Sequence, residues 1–199
     1  MARLTTASAL YRGAFLYALF INEIDYYRLL ENRYVWLLDI MTGRVVVIMG
    51  SDRDLDFSRE IGKYLKLFGV EYEFRVASAH KTPEKVLEIL RASQDEKVVY
   101  VTVAGRSNAL SGFVDANTSK PVVACPPTSQ TFGGADIFSS LRMPSGVGCV
   151  VTVEPEGAAI AAAKILALDD KDLEQRVTDY QLRKKREVEN ADETVKKLK

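Results

Sequence analysis

Val45, Val46, Val47, Ile48 and Met49 form an unbroken run of β-branched and large apolar side chains with no polar residue between them. A strand with one wet face alternates apolar and polar residues. One without alternation is buried on both faces, as in a parallel sheet covered by helices. The chain that follows keeps to this plan. Residues 54–68 place Leu55, Ile61, Leu65 and Phe68 at helical spacing, and Gly69 ends the helix. Residues 71–77 read as a second strand, and a helix runs from Thr82-Pro83-Glu84 to about Ala92, with Thr82 as N-cap and Pro83 at the first helical position. A third strand over 98–103 precedes a short helix, and a fourth strand spans 121–125. A short helix near 135–141, a fifth strand over 148–153 and an Ala-rich helix over 156–168 complete the series. Strands alternating with helices predict an α/β fold, βαβ units around a central parallel sheet.

The 199 residues, 47% of them hydrophobic, suffice for one packed domain. Three segments are expected: an extension over 1–43, a folded domain over 44–170 and a charged helix over 171–199. Met41 stands just ahead of the first strand and reads as the functional start, which would make residues 1–40 an upstream extension. Within that extension the apolar run Gly13–Asn22 is too short to span a bilayer, which takes about 20 residues. No small-x-small cleavage site follows it, so a secretory leader is not expected. The final segment carries a thin apolar stripe at Val188, Ala191, Val195 and Leu198 and reads as a solvated helix.

Charge and reactive residues narrow the function. With 27 basic against 27 acidic residues there is no basic footprint for nucleic acid. Two cysteines and one histidine exclude a disulfide framework and most multi-histidine metal centres. The cytoplasm is the expected compartment, and no membrane partner is expected.

In an open parallel sheet ligands bind beyond the carboxyl ends of the strands. Three loops there carry unusual residues. Gly50-Ser51-Asp52-Arg53-Asp54 turns into a helix whose free N–H groups suit a phosphate, with Ser51 adding a hydroxyl and Asp54 able to accept from ribose hydroxyls. The same residues equally suit an N-cap with acids complementing the helix dipole. Ser78-Ala79-His80-Lys81-Thr82-Pro83 holds the only histidine, placed to move protons near neutral pH, beside a lysine fit for an anion. A surface histidine and a solvated lysine is the plainer alternative. Ala104-Gly105-Arg106-Ser107-Asn108 lets a flat ligand approach the backbone at Gly105, while Ser107 and Asn108 also read as a helix cap. Cys125, before Pro126-Pro127, reads as a buried structural thiol.

Taken together, Gly50-Ser51-x-x-Asp54, Ser78-Ala79-His80-Lys81-x-Pro83, Ala104-Gly105-Arg106-Ser107-Asn108-x-Leu110 and Ser140-Leu141-Arg142-Met143-Pro144-Ser145-Gly146 resemble the phosphoribosylaminoimidazole carboxylase family of purine biosynthesis. The resemblance spans about Arg44 to Leu168. One branch of that family rearranges N5-carboxyaminoimidazole ribonucleotide; the other adds carbon dioxide directly to 5-aminoimidazole ribonucleotide. The mutase branch typically has arginine where this chain has Lys81 and a second histidine where it has Ala109, so the direct carboxylase is the closer likeness. Arg53 departs from the serine usual at its position.

The resemblance implies a three-layer α/β sandwich with a central parallel sheet, flavodoxin- or Rossmann-like, a small nucleotide and carbon dioxide as substrates, no metal or prosthetic group, a homo-octamer and a site shared between subunits. It further implies that Ser51, Ser78 and Lys81 hold the ribose phosphate and Asp54 the ribose hydroxyls. Gly105 and Ser107 would contact the aminoimidazole, Ser107 and Asn108 the carbon dioxide, and His80 would carry the proton. A flavodoxin-like nucleotide-binding protein and a phosphate-accepting regulatory module are the competing classes. The regulatory module lacks its central aspartate, since Gly105 and Arg106 follow the third strand.

Overall fold

The computed structural model describes residues 43–129 and 131–198. The apolar run at 13–22, the Met41 start and nearly all of the expected 1–43 extension lie outside the described residues. Five strands form one sheet: β1 (Arg44–Met49), β2 (Glu71–Val76), β3 (Val98–Val103), β4 (Val122–Ala124) and β5 (Val150–Val151). Their order is β2-β1-β3-β4-β5, and every neighbouring pair is parallel. β1 lies between β2 and β3 with Val47 opposite both Phe74 and Val101. From Val45 to Met49 it is fully buried, as its unalternating sequence requires.

The helices divide between the two faces. On one, Val45, Val47 and Met49 meet Ile61 and Leu65 of α1 (Leu55–Leu67) and the alanines of α5 (Pro155–Leu166). On the other, Val46 and Ile48 meet α2 (Pro83–Ala92) and α3 (Ala109–Ala116) through Val86, Ile89, Leu110 and Val114. This is the three-layer arrangement expected. α4 (Phe138–Leu141) is a single turn that continues a 3₁₀ stretch over Thr131–Ile137, where one short helix is expected from sequence.

β4 and β5 are shorter than their apolar runs. Pro126 and Pro127 supply no ladder N–H, so pairing beyond β4 ends with Cys125 N–H donating to Thr102 C=O at 2.8 Å. Beyond β5, Thr152 N–H donates to Ala124 C=O at 2.9 Å, and the chain then turns into α5.

Residues 171–196 form α6, whose first turns contribute side chains to the main core. Leu173, Val177 and Tyr180 are buried, and the Tyr180 ring meets Phe68 edge-on at 5.2 Å. Arg176 Nε donates to Phe68 C=O at 2.7 Å, closing the C-terminal end of α1. From Gln181 to Leu198 every residue is exposed, including Val188, Ala191, Val195 and Leu198.

Ala158, Ala159, Ala162 and Ala163 have no exposed surface, so α5 sits close against the sheet and α1. Adding volume there forces backbone shifts. Ala162→Leu is expected to destabilise the domain by about 1–3 kcal/mol in urea unfolding. Lys185→Leu, on the exposed part of α6, should stay within about 0.5 kcal/mol of the parent.

Candidate active site

The strand order reverses direction between β1 and β3, because the chain leaves β1 toward β2 and returns past it to reach β3. Such a switch point opens a crevice at the carboxyl ends of the strands. Since β2, β1 and β3 are neighbours, the three loops singled out from sequence meet there. They line a crevice of about 620 Å³ built from Gly50–Asp54, Ser78–Lys81 and Ala104–Ser107, with Ala109 and Leu110.

Hydrogen bonds to the sheet hold the loop origins: Gly50 N–H donates to Val103 C=O at 2.9 Å and Ala77 N–H to Met49 C=O at 3.0 Å. In the first loop Ser51 is extended, and its Oγ accepts from Arg53 N–H at 3.2 Å and donates to Asp52 Oδ1 at 3.1 Å. Ser51 thus caps the turn while lining the crevice. Asp54 is half-buried, and burial pushes its carboxyl up from the ordinary value; the Ser51 backbone N–H opposes this and the Asp52 charge adds to it.

The second loop closes on itself. Thr82 N–H donates to Ser78 C=O at 2.8 Å, Ser78 N–H to Thr82 Oγ1 at 2.9 Å and Lys81 N–H to Ser78 Oγ at 3.3 Å. The Thr82 hydroxyl therefore fastens the loop and makes no side-chain cap on α2, contrary to the sequence expectation, although Pro83 does begin that helix. His80 and Lys81 stand exposed at the crevice, and among the described residues neither side chain has a hydrogen-bond or ion-pair partner. Both are free to meet a ligand.

In the third loop, a Cβ built on Gly105 would meet no atom within 4 Å. The protein itself does not require glycine there; the open space faces where a ligand would lie. Arg106 has φ +58°, the left-handed region that costs a side-chain-bearing residue about 1–2 kcal/mol. Asn108 does not line the crevice. It is buried, its Oδ1 accepts from Ser111 N–H at 3.2 Å and its Nδ2 donates to Ser140 Oγ at 2.9 Å. The carboxamide expected at carbon dioxide is occupied as a helix cap and a tie to α4.

A second hollow of about 400 Å³ adjoins the first. Asn108, Gly112, Phe113, Met143, Pro144 and Val147 give it a largely apolar wall, and His80, Ser107 and Ala109 line both spaces. His80 thus stands at a boundary between a polar crevice and an apolar hollow. Asp52, Arg53 and Arg106 also line the crevice, and the sequence reading assigned them no role in binding. Burial pushes the Cys125 thiol up to about 11, which keeps it protonated and inert. Among the described residues no group of three or more His, Cys, Asp or Glu side chains could hold a metal ion, and no helix is long and apolar enough to cross a membrane.

Fold and crevice together define a doubly wound α/β protein with a polar, nucleotide-sized site at its switch point and a lone histidine at the edge of that site. The chain belongs to the AIR carboxylase family, whose model matches residues 44–187. It is 59% identical over 153 residues to the phosphoribosylaminoimidazole carboxylase of Archaeoglobus fulgidus, covering 77% of this chain and 85% of that protein. The phosphoribosylaminoimidazole carboxylase of Treponema denticola is 48% identical over 138 residues, covering 68% and 87%. The crystal structure of Treponema denticola PurE superposes with a TM-score of 0.76 at 44% identity, covering 77% of this chain and 99% of that one.

The raised Asp54 carboxyl has a consequence for stability. A carboxyl whose folded value lies above its unfolded value opposes folding once ionised; the penalty is absent below about 3.8 and grows as pH rises through the folded value. Asp54→Asn is therefore expected to melt higher than the parent at pH 7, with the gap closing as pH falls toward 4. Thermal scans across that range check it.

Proposed function

We propose that this chain carries out the aminoimidazole ribonucleotide carboxylase step of purine biosynthesis: carbon dioxide adds to C4 of 5-aminoimidazole ribonucleotide, reversibly, to give the 4-carboxy product. The carrying observation is the placement of His80 where the polar crevice meets the apolar hollow. The relatives named phosphoribosylaminoimidazole carboxylase, at 59% and 48% identity, support the same activity.

The exocyclic amine of the substrate pushes electron density into the ring, so C4 is already a carbon nucleophile. Its electron pair forms the new C–C bond to carbon dioxide, and one C=O π pair becomes the carboxylate lone pair. The ring, now cationic, regains aromaticity when His80 removes the C4 proton. In the reverse direction His80 returns that proton before carbon dioxide leaves. The protein supplies alignment, donors for the growing carboxylate and a base.

Ser51, Ser78 and Lys81 hold the phosphate, with Lys81 supplying its unpaired charge. Asp54 accepts from the ribose hydroxyls, and the aminoimidazole lies over Gly105. Ser107 meets the forming carboxylate. Asn108 serves through the loop it anchors and through the wall of the hollow, whose apolar surface suits a nonpolar gas. The alternative, mutase chemistry, lacks support because Ala109 offers no proton carrier at the second position. Assembly as a homo-octamer, with copies closing the open side of the crevice, and residence in the cytoplasm complete the proposal.

The test is a rate measurement with 5-aminoimidazole ribonucleotide and carbon dioxide, without ATP, followed by product absorbance. A rate that saturates with carbon dioxide supports the reading; conversion of the fresh N5-carboxy isomer alone would assign the chain to the mutase branch. His80→Asn should lower turnover by roughly 10²–10⁴-fold while nucleotide binding, read by calorimetry, survives. Near-normal turnover would remove His80 from the mechanism.

A further inference from the structure

We propose that Ser139 and Ser140 of α4 are positioning residues that hold the loop between Ala104 and Asn108 in its working shape. The inference rests on the carboxylase reading and adds to it a role for two residues outside the polar crevice, of which Ser139 also lines the adjoining hollow. Ser139 Oγ accepts from Asn108 N–H at 2.9 Å. Its single proton faces two carbonyl oxygens, Asp136 at 2.7 Å and Arg106 at 3.0 Å. Ser140 Oγ, almost wholly buried, accepts from Asn108 Nδ2 at 2.9 Å. Two adjacent hydroxyls thus reach the backbone on both sides of Ser107 and the side chain that caps α3.

The held segment is the one that most needs holding. Arg106 is the only described residue other than glycine with positive φ, and Gly105 before it has no side chain to pack. A left-handed arginine persists only where its surroundings over-determine it, and such strain collects at functional sites. Both neighbours of Arg106 line the candidate site: Gly105 lines the crevice and Ser107 lines crevice and hollow alike. Relaxing Arg106 to an ordinary conformation would swing the peptide groups on each side of it. α4 is one turn at the end of a 3₁₀ stretch, and apart from the bond that ties Ser139 to Asp136 C=O in that stretch, the hydroxyls of its two serines engage the loop.

The experiment is a cycle of variants assayed with 5-aminoimidazole ribonucleotide and carbon dioxide. Ser139→Ala should lower kcat about tenfold, the scale of one lost hydrogen bond, while KM for the nucleotide changes less than about threefold, because the phosphate and ribose contacts lie in other loops. Ser139→Thr, which keeps the hydroxyl, should recover kcat to within about threefold. In an Arg106→Gly background, where left-handed φ carries no side-chain penalty, Ser139→Ala should cost less than in the parent. A folded Ser139→Ala with normal kcat overturns the proposal. So does an equal loss in both backgrounds, or a loss that Thr does not restore. Should Ser139→Ala fail to fold, Ser140→Ala is read in the same two backgrounds against the same criteria. A parent enzyme without carbon dioxide-dependent turnover would instead overturn the carboxylase reading itself.

Discussion

Everything at the crevice depends on the burial of β1 from both sides. Val45 to Met49 contribute five side chains with no exposed surface, three to one core and two to the other. At about 1.5–3 kcal/mol for each large apolar side chain removed from water, the strand supplies a gross stabilisation on the scale of the net stability of a whole domain. No salt bridge here compares. Arg44 at the start of β1 pairs with Glu73 and Glu96, but partly exposed pairs of that kind contribute about 0–1 kcal/mol. Because β1 is central, β2 and β3 must flank it, and the three loops that leave these strands are forced together.

That surplus is what lets the loops be poorly optimised for stability. Asp54 keeps a carboxyl in a half-buried place that disfavours its charge, Arg106 holds a left-handed backbone, and Lys81 has no ion-pair partner among the described residues. Each is a small local loss in a fold whose rigid part lies below. Arg53, Lys81 and Arg106 bring three cations to the crevice lining, and Asp52 and Asp54 bring two carboxyl groups. A ligand with a phosphate at one end and hydroxyls nearby matches that pattern better than an apolar one.

The sequence was legible where a local rule decides. The unalternating run at 45–49, the helical spacing through Leu65 and the proline opening α2 each express one steric or burial constraint within a few residues, and the structure follows them. The three strand-end loops were legible because parallel topology says where to look. What the sequence hid depends on pairings distant along the chain. Asn108 reads as a ligand contact or a cap until Ser139 and Ser140, more than thirty residues away, are seen to engage it. Thr82 reads as an N-cap until Ser78 competes for its hydroxyl. The i, i+4, i+7 spacing of Leu173, Val177 and Tyr180 was visible, but the charge density around it concealed that the first turns of α6 enter the core.

On the carboxylase reading, the boundary at His80 answers a problem set by the reaction. Carbon dioxide arrives without net dipole and leaves the step as an anion, so a wholly polar pocket would hold it poorly and a wholly apolar one would oppose the product. A site that is apolar on the side from which the gas comes and rich in donors on the side where charge develops favours the transition state over both ends. His80, Ser107 and Ala109 belong to both walls. At Ala109 the side chain is a single methyl group, so it takes little space from either cavity. The absence of a second ionisable side chain there then has a use: it keeps the proton traffic on one histidine and the path for carbon dioxide clear.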